Sequence, residues 1–176
     1  AFVFLLGGGP VEMFCSFIGA GLGNYARRKM IDRHITLFAG VAVAVAVACL
    51  SYVLALSLMQ LTFNVSSRHE AGYIGAMLFI IPGFPFITSG LDISKLDMRS
   101  GLERMTYAIA IITVATLVGW IVALMVNLRP ENFQALPLSA LMLFLLRLPA
   151  SFCGVFGFSI MFNSTPKMAS IAGCIG

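Results

Sequence analysis

Long apolar runs separated by short polar and charged stretches organise this chain. Ala1 to Leu6 is apolar but too short to cross a bilayer, and "GGGP" then interrupts it. Pro10 suits the start of a helix, because the first helical position needs no N–H donor. That helix is expected to run through "VEMFCSFIGAGLGNYA" and stop near "RRKMIDRH". Further apolar runs cover Ile35 to Leu61, Ala71 to Leu91, Met105 to Asn127 and Leu138 to Phe162, and another starts at Met168. A membrane-crossing helix needs about 20 mostly apolar residues. The pattern therefore predicts an all-α polytopic membrane protein with about five transmembrane helices. Apolar segments at both ends raise the expectation that these residues are part of a longer protein.

"GVAVAVAVACL" alternates with period two, which ordinarily argues for a strand. Both alternating residue types are apolar here, so no face is distinguished. The run also continues for about 25 residues, the length of a membrane helix. As a helix it places Gly40, Ala44 and Ala48 on one face, as the preceding helix does with Cys15, Gly19 and Gly23. Small residues at this spacing let helices approach closely in lipid.

The run beginning at Ala71 interrupts itself in "IIPGFPFITSGLDISKLDMRSGLER". Pro82 cannot donate to the Leu78 carbonyl, nor Pro85 to that of Ile81, and Gly83 permits a sharp turn. Unsatisfied backbone in hydrocarbon is costly, so such breaks persist inside protein or beside a water-filled cavity. In transporters, broken helices present freed carbonyls and a half-helix N-terminus to the substrate. Carbonyls suit an ammonium group and N-terminal amides suit a carboxylate, so a zwitterionic amino acid would satisfy both. A simple proline kink is the alternative. Pro82, Gly83, Pro85, Thr88, Ser89 and Asp92 are the candidate substrate-binding or gating residues of this segment.

Composition agrees with the membrane reading. The chain is 60% hydrophobic with mean hydropathy +0.99 and 10% charged residues, against roughly 25% charged in soluble domains. The net charge of +4 then concerns orientation and lipid head groups rather than nucleic acid. Arg27, Arg28, Lys29 and Arg33 follow the first complete helix, and Lys95, Arg99 and Arg104 follow the third. The intervening "TFNVSSRHE" and "LRPENFQALP" are poor in basic residues, so the two basic segments are expected to be cytoplasmic. Cys15, Cys49, Cys153 and Cys174 lack metal-ligand spacing and read as buried free thiols. No cofactor or metal is expected. His34 and His69 fall at opposite faces.

Individual charges have competing readings. Ser100 and Glu103 form S-x-x-E before an apolar run, a capping-box pattern, and Arg99 can pair with Glu103 four residues on. Asp92 either meets substrate ammonium or a proton, or pairs with Lys95 or Arg104, while Asp97 reads as a solvated loop residue. Glu12 sits in a first helical turn, where a carboxylate meets the helix dipole favourably; proton coupling is its other reading. Arg147 lies two residues before Pro149. A span starting at Pro149 would have about 14 residues, too few to cross, so Arg147 is expected at membrane depth, as a substrate-binding residue that holds a carboxylate or as the balance of Glu12 or Asp92, unless it snorkels outward. A channel would need pore-lining rings from oligomerisation. An intramembrane enzyme would need a clustered nucleophile and base or metal ligands, which the spans lack. A membrane scaffold would leave Pro82, Pro85 and Arg147 unexplained.

The segment "PGFPFITSGLDISKLDMRSGLER" resembles the signature of the threonine/serine exporter family, a Pro-Gly-x-Pro followed by an aspartate and then Ser-Gly-x-x-Arg. Pro82, Gly83, Pro85, Asp92, Ser100, Gly101 and Arg104 match it. Upstream, "FVFLLGGG" is similar to the Phe-rich, Gly-Gly end of that family's preceding helix. Downstream, "GVFGFSIMFNSTPKMASIAGCIG" is similar to the start of its second half, through Phe158, Phe162, Asn163, Pro166 and Gly173. Thr88 stands where many members have asparagine, and Gly9 and Pro10 replace more polar residues. The resemblance implies a secondary exporter of threonine and serine driven by the proton gradient, multi-pass in the inner (plasma) membrane; Glu12 and Asp92, by their positions above, are the proton-coupling candidates. It also implies about ten helices in two repeats, with residues 1–137 in the first and 138–176 opening the second. Relatives split over two polypeptides imply a dicarboxylate substrate of the succinate type as the alternative, and a homo-oligomer or partner subunit as company.

Overall fold

The first apolar segment ends at Gly7 for a backbone reason. Gly7 has φ of 91°, a region open to glycine at little cost, and the turn there lets the Gly8 amide donate to the Val3 carbonyl at 2.8 Å. The computed structural model describes residues 1–63, 70–128, 139–161 and 163–175, and their regular elements are all helical. They are α1 (Phe2–Leu5), α2 (Pro10–Asp32), α3 (Leu37–Phe63), α4 (Glu70–Met77), α5 (Gly83–Ser94), α6 (Met98–Met125), α7 (Ala140–Met161) and α8 (Pro166–Ile175), with a 3₁₀ turn at Leu78–Ile80 after α4. The expected positions His69, Arg129 and Phe162 lie outside the described residues.

Among the described residues three helices, α3, α6 and α7, are long and apolar enough to cross a membrane, and α4 with α5 makes a fourth if the bent pair counts as one span. Of the about five expected spans, α2 is the one that lacks such a composition. It is long enough, but Glu12, Arg27, Arg28, Lys29 and Asp32 lie within it, and its apolar stretch is too diluted by Asn24, Tyr25 and glycines. The basic cluster expected in a loop thus forms the last turns of α2. The period-two run is helical throughout, inside α3.

Helix α3 is the centre of the bundle, lying against α2, α4 and α6. Ala44, Val45, Ala48, Cys49 and Tyr52 on its inner face have no exposed surface. The small-residue faces of α2 and α3 meet. A Cβ on Gly19 would stand 2.8 Å from the Ala48 carbonyl oxygen, and one on Gly23 would stand 2.7 Å from the Ala48 Cβ. Gly40 is looser: its Cβ would meet Met30 at an ordinary 3.7 Å. The outer faces stay apolar, with Phe17, Leu58 and Leu61 well exposed, as a lipid-facing surface requires and a water-facing one would not tolerate. Cys15 and Cys49 are buried as expected, whereas Cys153 on α7 and Cys174 on α8 are exposed, a correction to the reading of all four as buried.

Replacing Gly19 with valine should therefore lower the stability of the bundle by about 1–3 kcal/mol, the usual cost of overpacking, read as a lower melting temperature in detergent. Gly21→Ala is the control. Its Cβ would meet nothing within 4 Å, and the gain in helix propensity is worth up to about 1 kcal/mol.

Tyr73 ties α4 to α6. Its hydroxyl donates to the Gly119 carbonyl at 2.6 Å in a buried setting, and the Tyr52 ring meets it edge-on at 6.2 Å between centroids. A buried phenol needs such a partner.

Candidate functional site

At the Pro-Gly-Phe-Pro segment the axes of Ala71–Ile80 and Gly83–Ser94 differ by 60°. Pro82 has φ −81° and ψ 65°, the geometry of an inverse γ-turn, and the Gly83 amide donates to the Ile81 carbonyl at 2.9 Å. The Ile81 amide donates to the Leu78 carbonyl at 3.2 Å. The expectation of freed carbonyls at Leu78 and Ile81 is thus corrected: tighter local turns take both up. Pro85 is the third residue of α5, where no helix has an intrahelical partner for the N–H, so its ring removes no bond. The Thr88 hydroxyl donates to the Phe84 carbonyl at 3.0 Å and also lies 3.2 Å from that of Pro85.

Helix α5 turns into α6 within three residues. The Lys95 amide donates to the Leu91 carbonyl and that of Asp97 to the Asp92 carbonyl, with Leu96 at φ 65° closing the turn. Asp97 then caps α6, its side chain accepting from the Ser100 amide at 3.4 Å. The capping box expected at Ser100 and Glu103 is corrected accordingly. The cap is Asp97, so Ser100 receives it as the third helical residue, α6 starts at Met98 rather than Met105, and Glu103 turns outward to Arg99 at 3.2 Å.

This turn folds α5 back along α6. Ser89 is fully buried and its hydroxyl donates to the Gly101 carbonyl at 2.7 Å. A Cβ on Gly101 would stand 2.5 Å from Ile93 Cγ1 and 3.2 Å from the Ser89 carbonyl oxygen. Below this crossing, Arg104 Nη1 approaches Asp92 Oδ2 at 3.0 Å. No N–H is aligned on that oxygen, so the contact is ionic rather than a hydrogen bond. The two side chains are 51% and 22% exposed, which limits its worth to at most about 1 kcal/mol. Asp92 thus takes the Arg104 partner among its expected alternatives.

Phe84, Pro85 and Thr88 of α5 and Glu103, Arg104 and Tyr107 of α6 line a groove of about 590 Å³. Glu103 and Arg104, expected as parts of a structural motif, are its charged members. Phe84 and Tyr107 went unnoticed in the sequence, although Tyr107 follows Arg104 by three residues and so shares its helical face. A second groove, between α2 and α3, is lined mainly by apolar residues such as Phe14, Leu22 and Leu58 and carries no charge.

Two expected residues stand elsewhere. Glu12 is 5% exposed in the first turn of α2 and lies against Gly8, where a Cβ would overlap its carboxylate. Ser16, one turn on, is also buried and faces Gly75 of α4. Arg147 is exposed on α7, which runs unbroken through Pro149, and it is not among the groove residues.

The sequence was compared with families, curated proteins and solved structures. Residues 1–127 match the profile of a family described as "Putative threonine/serine exporter". Neither the curated proteins nor the solved structures gave a match. With a family match over most of its length, on a bundle of membrane-length helices, the chain belongs to the threonine/serine exporter family of transporters.

Proposed function

We propose that this chain handles the substrate in a secondary exporter that moves threonine and serine out of the cytoplasm, driven by the proton gradient. The observation that carries the reading is the pair of opposite charges lining the groove beside the bend, the Arg104 guanidinium, which contacts Asp92, and the Glu103 carboxylate, which contacts Arg99, with Thr88 in the same lining. A free amino acid carries one carboxylate and one ammonium, so the groove is complementary to it in charge. A dicarboxylate would meet Arg104 with one end and be repelled by Glu103 with the other, which makes succinate the second reading.

In this proposal α4 and α5 cross the inner membrane as one bent span. The basic end of α2 and the α5–α6 turn face the cytoplasm, following the positive-inside rule. Glu12 and Asp92 are the carboxylates available to carry a proton, and residues 1–137 and 138–176 belong to two successive repeats. The family description supports the substrate; the charge pattern supports the orientation.

Export from cells expressing the full-length protein tests it. Preloaded labelled threonine and serine should leave at least several-fold faster than from control cells, and an uncoupler should abolish the difference. Labelled succinate leaving in their place would establish the second reading. Export insensitive to the uncoupler would remove proton coupling.

A further inference from the structure

Arg104 is placed to serve two carboxylates. It lies 3.0 Å from Asp92 on one side and lines the groove on the other. Its planar head has five N–H donors in a fork suited to gripping a carboxylate at two points. The contact with Asp92 leaves that capacity unused, because no N–H is aligned on Oδ2. Asp92 is also poorly placed by itself. It falls in the last turn of α5 (Gly83–Ser94), where the helix dipole disfavours a negative charge. The neighbouring cations do not compete for the role: Arg99 is 91% exposed and turned to Glu103, and Lys95 is exposed at the turn.

We propose that Arg104 is the residue that grips the substrate's carboxylate, and that Asp92 is its built-in competitor. The guanidinium exchanges partners, from Asp92 to the substrate, each time the groove fills. The proposal rests on the amino-acid reading above and adds to it the anchoring residue and the group that holds the anchor between cycles. Asp92 thereby weakens substrate binding on purpose: an anchor with a competing partner releases its cargo more readily than one without.

The test uses the purified full-length protein in lipid nanodiscs, with binding measured by calorimetry for threonine and for threoninol, which lacks the carboxylate. Asp92→Asn should bind threonine about fivefold more tightly, the scale of a partly exposed ion pair, and leave threoninol unchanged. Arg104→Gln should bind threonine at least tenfold more weakly, and adding Asp92→Asn to it should give no tightening. Arg104→Lys, which keeps the charge and the contact with Asp92 but loses the fork, controls for folding and should still bind threonine several-fold more weakly. Weaker or unaltered threonine binding in Asp92→Asn would overturn the proposal, as would native binding in Arg104→Gln. If the native protein binds neither threonine nor serine, the amino-acid reading falls first, and the proposal with it.

Discussion

With Pro82 and Pro85 both replaced by alanine, export should fall by more than tenfold while expression and membrane insertion stay near native levels. Alanine restores an N–H at each position and is the best helix former, so the γ-turn at Pro82 loses its reason to exist. The Leu78 and Ile81 carbonyls, now held by the Ile81 and Gly83 amides, would return to ordinary helical partners, and the 60° bend would relax. Phe84 and Thr88 would then swing away from Glu103, Arg104 and Tyr107. The single variants separate the two prolines. Pro85 costs no hydrogen bond where it stands, so Pro85→Ala should export nearly normally and Pro82→Ala should account for most of the loss. Native export by the double variant would reduce the segment to a plain kink.

Gly101→Val should be the most damaging single change in the α5–α6 pair. Its side chain would enter the space of Ile93 and the Ser89 carbonyl, and α5 would have to lift off α6. The buried Ser89–Gly101 hydrogen bond would break, leaving the Ser89 hydroxyl without that partner at a cost of about 1–3 kcal/mol, in addition to about 1–3 kcal/mol for overpacking. Asp92 would be drawn away from Arg104 in the same movement. Export should be lost and the melting temperature in detergent lowered by several degrees. Gly90→Ala on the open side of α5, where a Cβ would meet nothing within 4 Å, should leave both unchanged or raise stability slightly. Tolerance of valine at Gly101 would show that α5 and α6 are not held as closely as the hydrogen bond indicates.

Much of the framework was legible because membrane helices write themselves in composition. The α3 run could be read as a helix despite its alternation, since length in lipid decides the matter. Ala44, Ala48, Gly19 and Gly23 could be read as a contact because close packing in a bilayer favours small residues. What escaped depends on which group satisfies which. The carbonyls near Pro82 looked free because the sequence shows missing donors but not the tighter turns that replace them. Ser100 looked like a cap because S-x-x-E is a local pattern, whereas Asp97 wins through the geometry of the turn before it. The basic end of α2 looked like a loop because the helix signal outlasts the apolar one. The groove joins residues of two helices across a turn, and no periodicity of either helix alone reveals which faces meet.

The two hydrogen bonds from α4 and α5 to α6 have a mechanical consequence. Tyr73 fixes α4 at Gly119, and Ser89 fixes α5 at Gly101. These points lie about 27 Å apart on one unbroken helix. Straightening the elbow would have to break one of these two bonds, so α6 resists a change in the bend. The two arms otherwise have different partners: α4 lies mainly against α2 and α3, and α5 against α6. The elbow is therefore the joint through which a shift of α6 and α5 is passed on to α2 and α3.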